Sequence, residues 1–239
     1  MTKPLTLALD TTMARLQVGL YTQAGESLGC INQTDARQRH HSAVLLPRLA
    51  EMMAQHAVAP DQVGCILVNI GPGSFTGIRT GLTMVRIWAQ VVPEVVCIPF
   101  NTFELLAAAP PYRGLNVTVL LNAYRQQHMV ARLCVAKTGQ VVWHQAPLIE
   151  PNAGLDWARW AGDVCLVEDS LVGVLPTWGD IPGVKVVTVD EAAVFTPAVM
   201  MALYQADHGQ VVPWAQLLPN YVQQPHITQP VAKTRAGKS

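Results

Sequence analysis

Apolar and polar positions fall into two successive series along this chain. Leu5 to Asp10 is an apolar run that ends in a polar turn, Asp10-Thr11-Thr12. Leu16, Val18 and Leu20 alternate with Gln17 and Gly19, the period of a half-buried strand. Ser27 to Thr34 reads as a third strand after the turn at Gly25. Ser42 is placed to cap a helix whose stripe runs Leu45, Leu49, Met52 and His56, with Leu46 and Met53 beside it. Pro47 falls early in that helix, where a missing N–H costs least. Cys65 to Ile70 is a continuous apolar run of the kind buried on both faces. A glycine-rich turn, a helix from Phe75 to Val91 and a strand from Val95 to Pro99 complete the first series.

The second half repeats the order of elements, though not the letters. Asn116 to Leu121, His128 to Ala136 and Gln140 to Ile149 read as strands. A short helix from Ala153 to Trp160, a strand from Val164 to Glu168, a helical turn after Asp169 and a strand from Val184 to Val189 follow. Thr196 to Asp207 reads as a helix with Pro197 at its first position. Each half is therefore β-β-β-α-β-α-β. Two such lobes side by side are the plan of the actin-like ATPase superfamily, a ribonuclease H-like α/β fold. The expected division is an N-terminal lobe over residues 1–100, a C-terminal lobe over 101–222 and a tail over 223–239. The tail lacks apolar periodicity, carries Pro225, Pro230, Lys233, Arg235 and Lys238 with no acid, and reads as flexible.

Composition narrows the function classes. Half of the 239 residues are hydrophobic and 13% are charged, about half the usual ~25%. Such a chain buries a sizeable core, and its low charge suggests apolar surface covered by another subunit. Lys+Arg and Asp+Glu both number 16. A protein that grips nucleic acid unaided carries a basic excess, so contact with RNA is expected only through a partner. The most apolar stretch, Val63 to Ile78, is broken by Gly71, Pro72, Gly73 and Gly77, so no membrane span is expected. No signal peptide is visible, since the N-terminal apolar run is short. The five cysteines show no metal spacing, and four sit in or beside β-type runs. This fits a reducing cytoplasm.

Two loops are candidates for chemistry. Gly71-Pro-Gly-Ser-Phe-Thr-Gly-Ile-Arg-Thr-Gly81 joins a buried strand to a helix. Gly71 and Gly73 allow close backbone approach, and Ser74 or Thr76 can cap the helix, whose free N–H groups suit an anion. The segment ends in Thr76-Gly77-Ile78 where a P-loop needs Gly-Lys-Ser/Thr, so a phosphate cradle and a purely structural turn both stand. Asp10, Thr11 and Thr12 end the first strand, where an open sheet presents its ligand crevice. A carboxylate with two hydroxyls suits Mg²⁺ and phosphate, and equally suits a polar turn in which Asp10 accepts from nearby backbone N–H groups. No catalytic triad and no metal site is expected. His40 and His41 lack a partner four residues on, and His56, His128, His144, His208 and His226 read as solvated or capping residues.

The two helices of the first half carry more apolar residues than one core face needs. On the second, Phe75, Ile78, Leu82, Val85 and Ala89 form a core stripe, and Gly77, Gly81, Met84 and Trp88 form another. With Leu45, Leu46, Leu49 and Met53 of the first helix, this second stripe predicts a protein interface.

Leu7-Ala-Leu-Asp-Thr-Thr12, His41-Ser-Ala-Val-Leu-Leu-Pro47 and above all Gly71 to Gly81 resemble the TsaB (YeaZ) family of bacterial tRNA threonylcarbamoyladenosine biosynthesis proteins. The resemblance covers about residues 5–105. It implies the two-lobed actin-like fold and a non-catalytic subunit that supports its paralogue TsaD. TsaD transfers a threonylcarbamoyl group to N6 of the adenosine next to the anticodon in ANN-decoding tRNAs. It also implies TsaE, a small ATPase, as a further partner, a possible homodimer, and tRNA contact through the complex. No cofactor of the chain's own is implied, with Mg-ATP and metal held in the partner subunits. TsaD's metal-binding HxxxH pair lies on the helix corresponding to Ser42–His56, and this chain lacks it. In the family the N-lobe helices make the TsaD contact, which maps onto the over-apolar faces above. The chain departs from the family where Asn122-Ala-Tyr124 replaces an Asp-Ala-Arg sequence, and where Pro219-Asn-Tyr-Val-Gln223 lacks the usual final Arg. The competing expectation is an active phosphotransferase of the same superfamily, using Asp10 and Thr12 around Mg-ATP.

Overall fold

β1 (Leu5–Asp10) is buried along its whole length because it takes partners on both sides. It pairs antiparallel with β2 (Arg15–Thr22), placing Leu9 opposite Val18, and parallel with β4 (Val63–Asn69), placing Leu9 opposite Val68. β3 (Ser27–Thr34) extends the sheet beyond β2, and β5 (Val96–Phe100) extends it beyond β4, giving the order β3-β2-β1-β4-β5. β6 (Asn116–Tyr124), β7 (Gln127–Val135), β8 (Val141–Pro151), β9 (Val164–Val167) and β10 (Lys185–Thr188) form a second sheet in the order β10-β9-β6-β7-β8. Position for position this is the order of the first sheet, so the repeat of elements is a repeat of topology. The architecture is the two-lobed α/β plan expected from the sequence. The structure, a computed structural model, describes residues 3–34, 41–160, 162–173, 184–190 and 194–222.

Two helices, α1 (His41–Gln55) and α2 (Phe75–Val91), cover one face of the first sheet. Leu45, Leu49, Leu82 and Val85 pack there against Leu9 and Val68. The other face is shared. α3 (Thr102–Ala107) leaves the first sheet and packs on β6 and β7, whereas α5 (Thr196–Gln205) leaves the second and packs on β1, β2 and β4. Leu67 and Phe100 of one sheet, Phe103 of α3, Leu121 and Leu133 of the other sheet and Leu203 of α5 belong to one continuous core. Burying a side chain of that size contributes about 1.5–3 kcal/mol, so parting the sheets is costly. A smaller cluster around Val130, Trp160 and Cys165 closes the far side of the second sheet under α4 (Trp157–Trp160).

Four sequence expectations are corrected. α3 was not expected, because Thr102 to Ala107 is buried nearly all round and shows no helical stripe; Asn101 caps it, accepting from Phe103 N at 2.8 Å. α1 starts at His41, so Ser42 lies inside its first turn rather than at its cap. The expected helix from Ala153 splits into a 3-10 turn, Asn152–Gly154, and α4. All five cysteines, rather than four, fall in strands, and burial pushes the Cys65 and Cys165 thiols up to about 12. The expected tail, 223–239, lies outside the described residues. No helix among the described residues is long and apolar enough to cross a membrane.

Candidate functional site

Asp10 closes β1 with its carboxylate turned inward, at 1% exposure. Oδ1 accepts from Thr12 N and Thr12 Oγ1, both at 2.8 Å. Oδ2 accepts from Asn69 Nδ2 at 3.0 Å and from Thr196 Oγ1 at 2.7 Å. An ionised carboxylate offers about four acceptor positions, and this chain's own donors fill them. Asn69 extends the network, since its Oδ1 accepts from Gly71 N and from Thr102 Oγ1, each at 3.0 Å. Thr11 points the other way and donates to Gly77 O at 2.7 Å. Of the two readings left open for Asp10, Thr11 and Thr12, this geometry is that of a satisfied polar turn.

The glycine-rich segment is shaped by the same turn. Ser74 N donates to Thr12 O at 2.7 Å, and Ser74 Oγ caps α2 by accepting from Gly77 N at 3.2 Å. Gly77 packs so tightly that a Cβ would fall inside the shell of Thr11 O, and one on Gly81 would lie 2.5 Å from Thr11 Oγ1. Gly71 sits at φ +105°, a conformation glycine adopts without penalty. Gly77 and Gly81 are thus spent on contact between α2 and the β1–β2 turn, and are not free for a partner helix.

Between the lobes, Thr12, Ser74, Thr76 and Thr80 face Asn122, Tyr124 and Glu168 across a crevice of about 100 Å³. Burial pushes the Glu168 carboxyl up, and hydrogen bonds from Asn122 N (2.8 Å) and Ser170 Oγ (3.0 Å) oppose that shift. A carboxyl across the crevice from the α2 N-terminus sets a negative charge on the side from which an anion would approach. Among the described residues no group of three or more His, Cys, Asp or Glu is arranged to hold a metal.

The interface residues expected from the sequence divide. Leu45, Leu49, Met53 and Met84 are 1–6% exposed and belong to the core under α1 and α2, so Leu49 and Met53 are corrected from surface to core, whereas Leu45 and Met84 also reach the floor of the groove between the helices. Gly77 and Gly81 are corrected likewise. Trp88 is half-buried against that core, and Leu46 is exposed at 57%. The surface between the helices is nevertheless apolar. Leu46, Phe75 and Ile87 border a groove of about 390 Å³ whose lining includes Leu45 and Met84. Phe75 was expected in the core; it is 40% exposed, stacked on Tyr221 at 5.1 Å and overlaid by the Arg79 guanidinium at 5.3 Å. Sequence reasoning missed Ile87 and Val91, exposed at 57% and 74%; the steps of four from Phe75 through Arg79 and Thr83 were the available signal.

His128 is also corrected. It is wholly buried on β7, with Nδ1 3.1 Å from Asn152 Oδ1 and Nε2 4.0 Å from Glu150 Oε2. Burial lowers its pKa, against the Asn152 hydrogen bond and the Glu150 charge.

A family model matches the stretch that holds this helical face and the glycine turn. The family model of TsaD, tRNA N6-adenosine threonylcarbamoyltransferase, matches residues 31–144. A tRNA threonylcarbamoyladenosine biosynthesis protein TsaB of Haemophilus influenzae is 33% identical over 119 residues, 49% of this chain and 48% of that protein. The Bacillus subtilis protein of that name is 26% identical over 121 residues, 51% of each. The chain thus spans about half the length of the curated relatives it matches. Among solved structures, YeaZ from Pseudomonas aeruginosa superposes with a TM-score of 0.72 at 20% identity, covering 92% of this chain and 100% of that one. A second Pseudomonas aeruginosa structure, described as similar to peptidase YEAZ, superposes at 0.66 with 20% identity, covering 92% and 100%. The chain therefore shares the YeaZ fold over nearly all its length, and resembles TsaB proteins in sequence over half of it.

Proposed function

We propose that this chain acts in tRNA threonylcarbamoyladenosine biosynthesis as a non-catalytic scaffold that supports TsaD. The observation that carries the reading is the apolar groove between α1 and α2, bordered by Leu46, Phe75 and Ile87, inside the residues 31–144 that the TsaD family model matches. Exposed apolar surface of this kind marks a contact site. The Asp10 carboxylate, saturated by its own chain, favours the scaffold over a phosphotransferase working through Asp10 and Thr12. In this reading TsaD binds the α1–α2 face, TsaE joins the assembly, and tRNA is reached only through it. Mg-ATP and metal belong to the partner subunits. A homodimer through the same face competes with TsaD.

The test is a reconstitution with TsaD and TsaE from the same organism, tRNA and threonylcarbamoyl-adenylate, with the modified nucleoside quantified by mass spectrometry. Product is expected only when the chain is present, and Leu46→Asp is expected to reduce it. Equal product without the chain overturns the proposal.

A further inference from the structure

The β6–β7 hairpin ends beside the crevice in a left-handed backbone that no glycine relieves. β6 carries one extra residue there: Asn122 pairs with His128 and Tyr124 with Gln127, so Ala123 is bulged. Tyr124, Arg125 and Gln126 then sit at φ +62°, +53° and +60°. Arg125 and Gln126 are the two residues of the turn, a place that favours Asn-Gly, and a bulky Tyr in the left-handed region is rarer still. The tip is held at both ends. Tyr124 N donates to Asn122 Oδ1 at 2.7 Å, and Asn152 N donates to Gln126 O at 2.8 Å. Asn122 is itself fixed, its Nδ2 donating to Ser170 Oγ at 3.0 Å. What this costly local geometry achieves is the placement of one side chain. A bulge re-aims the residue beside it, and Tyr124 lines the crevice opposite Thr76 and Thr80 of α2. Its hydroxyl end lies in the crevice, where burial and then the Glu168 charge push its pKa up, while the residue as a whole is 62% exposed.

Ser42, Thr76 and Thr80 line both this crevice and the apolar groove between α1 and α2, so the two form one continuous surface. It follows α2 from Ile87 to Thr76, about 16 Å of helix, and crosses to the second sheet at Tyr124. We propose that Tyr124 is a second anchor for the partner that docks in the groove, so that the partner contacts both halves of the chain. The proposal rests on the scaffold reading and takes TsaD as the occupant. Strained backbone persists in a fold where it positions a working group, and here the group positioned is an exposed aromatic ring. A ring fixed before docking loses little conformational freedom on binding, and Tyr is among the residues that dominate contact energies. The partner surface that fits is an apolar ridge for the groove and, beyond Thr76, a flat uncharged patch that lies against the ring of Tyr124.

Sedimentation measures TsaD association by the full-length chain as wild type, Tyr124→Phe, Tyr124→Gly and Leu46→Asp, and urea unfolding of each free chain is followed alongside. Glycine adopts the left-handed region without penalty, so Tyr124→Gly is expected to keep or raise the urea midpoint while weakening TsaD association at least fivefold. Tyr124→Phe keeps the ring and is expected to stay within twofold of wild type. A Tyr124→Gly chain that binds TsaD as the wild type does overturns the anchor; if Leu46→Asp still weakens binding, the scaffold reading stands without it. When neither variant weakens binding, both fall. A Tyr124→Gly midpoint that drops in step with the binding makes the ring a structural support and overturns the anchor as well. So does a loss confined to self-association of the free chain, or to its binding of tRNA.

Discussion

Gly77→Ala sets two physical rules against each other. Gly77 lies inside α2, and replacing a helical glycine by alanine ordinarily gains about 0.8–1.0 kcal/mol. Here the added Cβ falls inside the shell of Thr11 O, a backbone atom that cannot swing aside. A retreat of about 1 Å takes the 2.7 Å bond from Thr11 Oγ1 to Gly77 O past ~3.6 Å, where it no longer counts as a hydrogen bond. The bond from Ser74 N to Thr12 O, 2.7 Å in the native turn, goes with it. Losing two buried partners at ~1–3 kcal/mol each outweighs the propensity gain, for a net loss of about 1–5 kcal/mol. Gly114→Ala is the control: φ is +86° there, nothing lies within 4 Å of the new Cβ, and only the left-handed cost of about 1–2 kcal/mol applies. Urea unfolding followed by circular dichroism measures both variants. A Gly77→Ala protein as stable as the wild type, or more stable, refutes the close-approach reading of the glycine turn.

Three further outcomes follow from the same geometry. Leu46→Asp changes an exposed side chain and leaves the urea midpoint within about 0.5 kcal/mol of wild type, yet weakens TsaD association in sedimentation at least tenfold; Leu49→Ala, in the core, costs about 2–5 kcal/mol of stability. His128 is held neutral by burial, so between its lowered folded pKa and the ordinary 6.5 the unfolded chain binds more protons, and stability falls as pH falls through that window. Unfolding midpoints at pH 7.5 and pH 5 are expected to separate more in the wild type than in His128→Gln; equal separations contradict this origin. Among the described residues Arg79 is the one charged residue lining the groove, so affinity for TsaD is expected to change less than threefold between 0.1 and 0.5 M salt in calorimetry, whereas an ionic interface loses far more.

Strand order and helix positions were legible where one period dominated. The run Leu5 to Asp10, the alternation at Leu16, Val18 and Leu20, and the stripe from Phe75 to Val91 each carry a single burial pattern, and each element forms where that pattern lies. α3 was illegible because it is sandwiched between two sheets, and burial on every side erases the stripe. Asp10 and Thr12 were visible as a polar turn, but Asn69, Thr102, Gln17 and Thr196 were not. They come from four separate elements, as much as 186 residues from their partner in a single bond, and only the folded topology assembles them. His128 has no sequence neighbour that announces burial; its partners are Glu150, near the end of the long β8 strand, and Asn152, in the 3-10 turn that follows it.

The two small residues on α2 show why the sequence reading took an inward stripe of the helix for an exposed one. Glycines four apart permit close approach of a second backbone, but the spacing does not say whose. In this fold the approaching backbone is Thr11, so Gly77 and Gly81 turn inward and carry Met84 with them into the core. The stripe left outside lies round the helix from it. Phe75, Arg79, Thr83, Ile87 and Val91 follow one another at intervals of four, and all are exposed. Residues so spaced lie one above another along a helix. Leu46 on α1 borders the same groove as Phe75 and Ile87. A partner that docks there meets a ridge of apolar side chains with one cation near its end, held in place from beneath by the contact of α2 with the Thr11 turn. The glycines that gave the strongest sequence signal therefore serve the exposed groove indirectly: they seat α2 against the Thr11 turn, and with it set the direction in which Phe75 and Ile87 face.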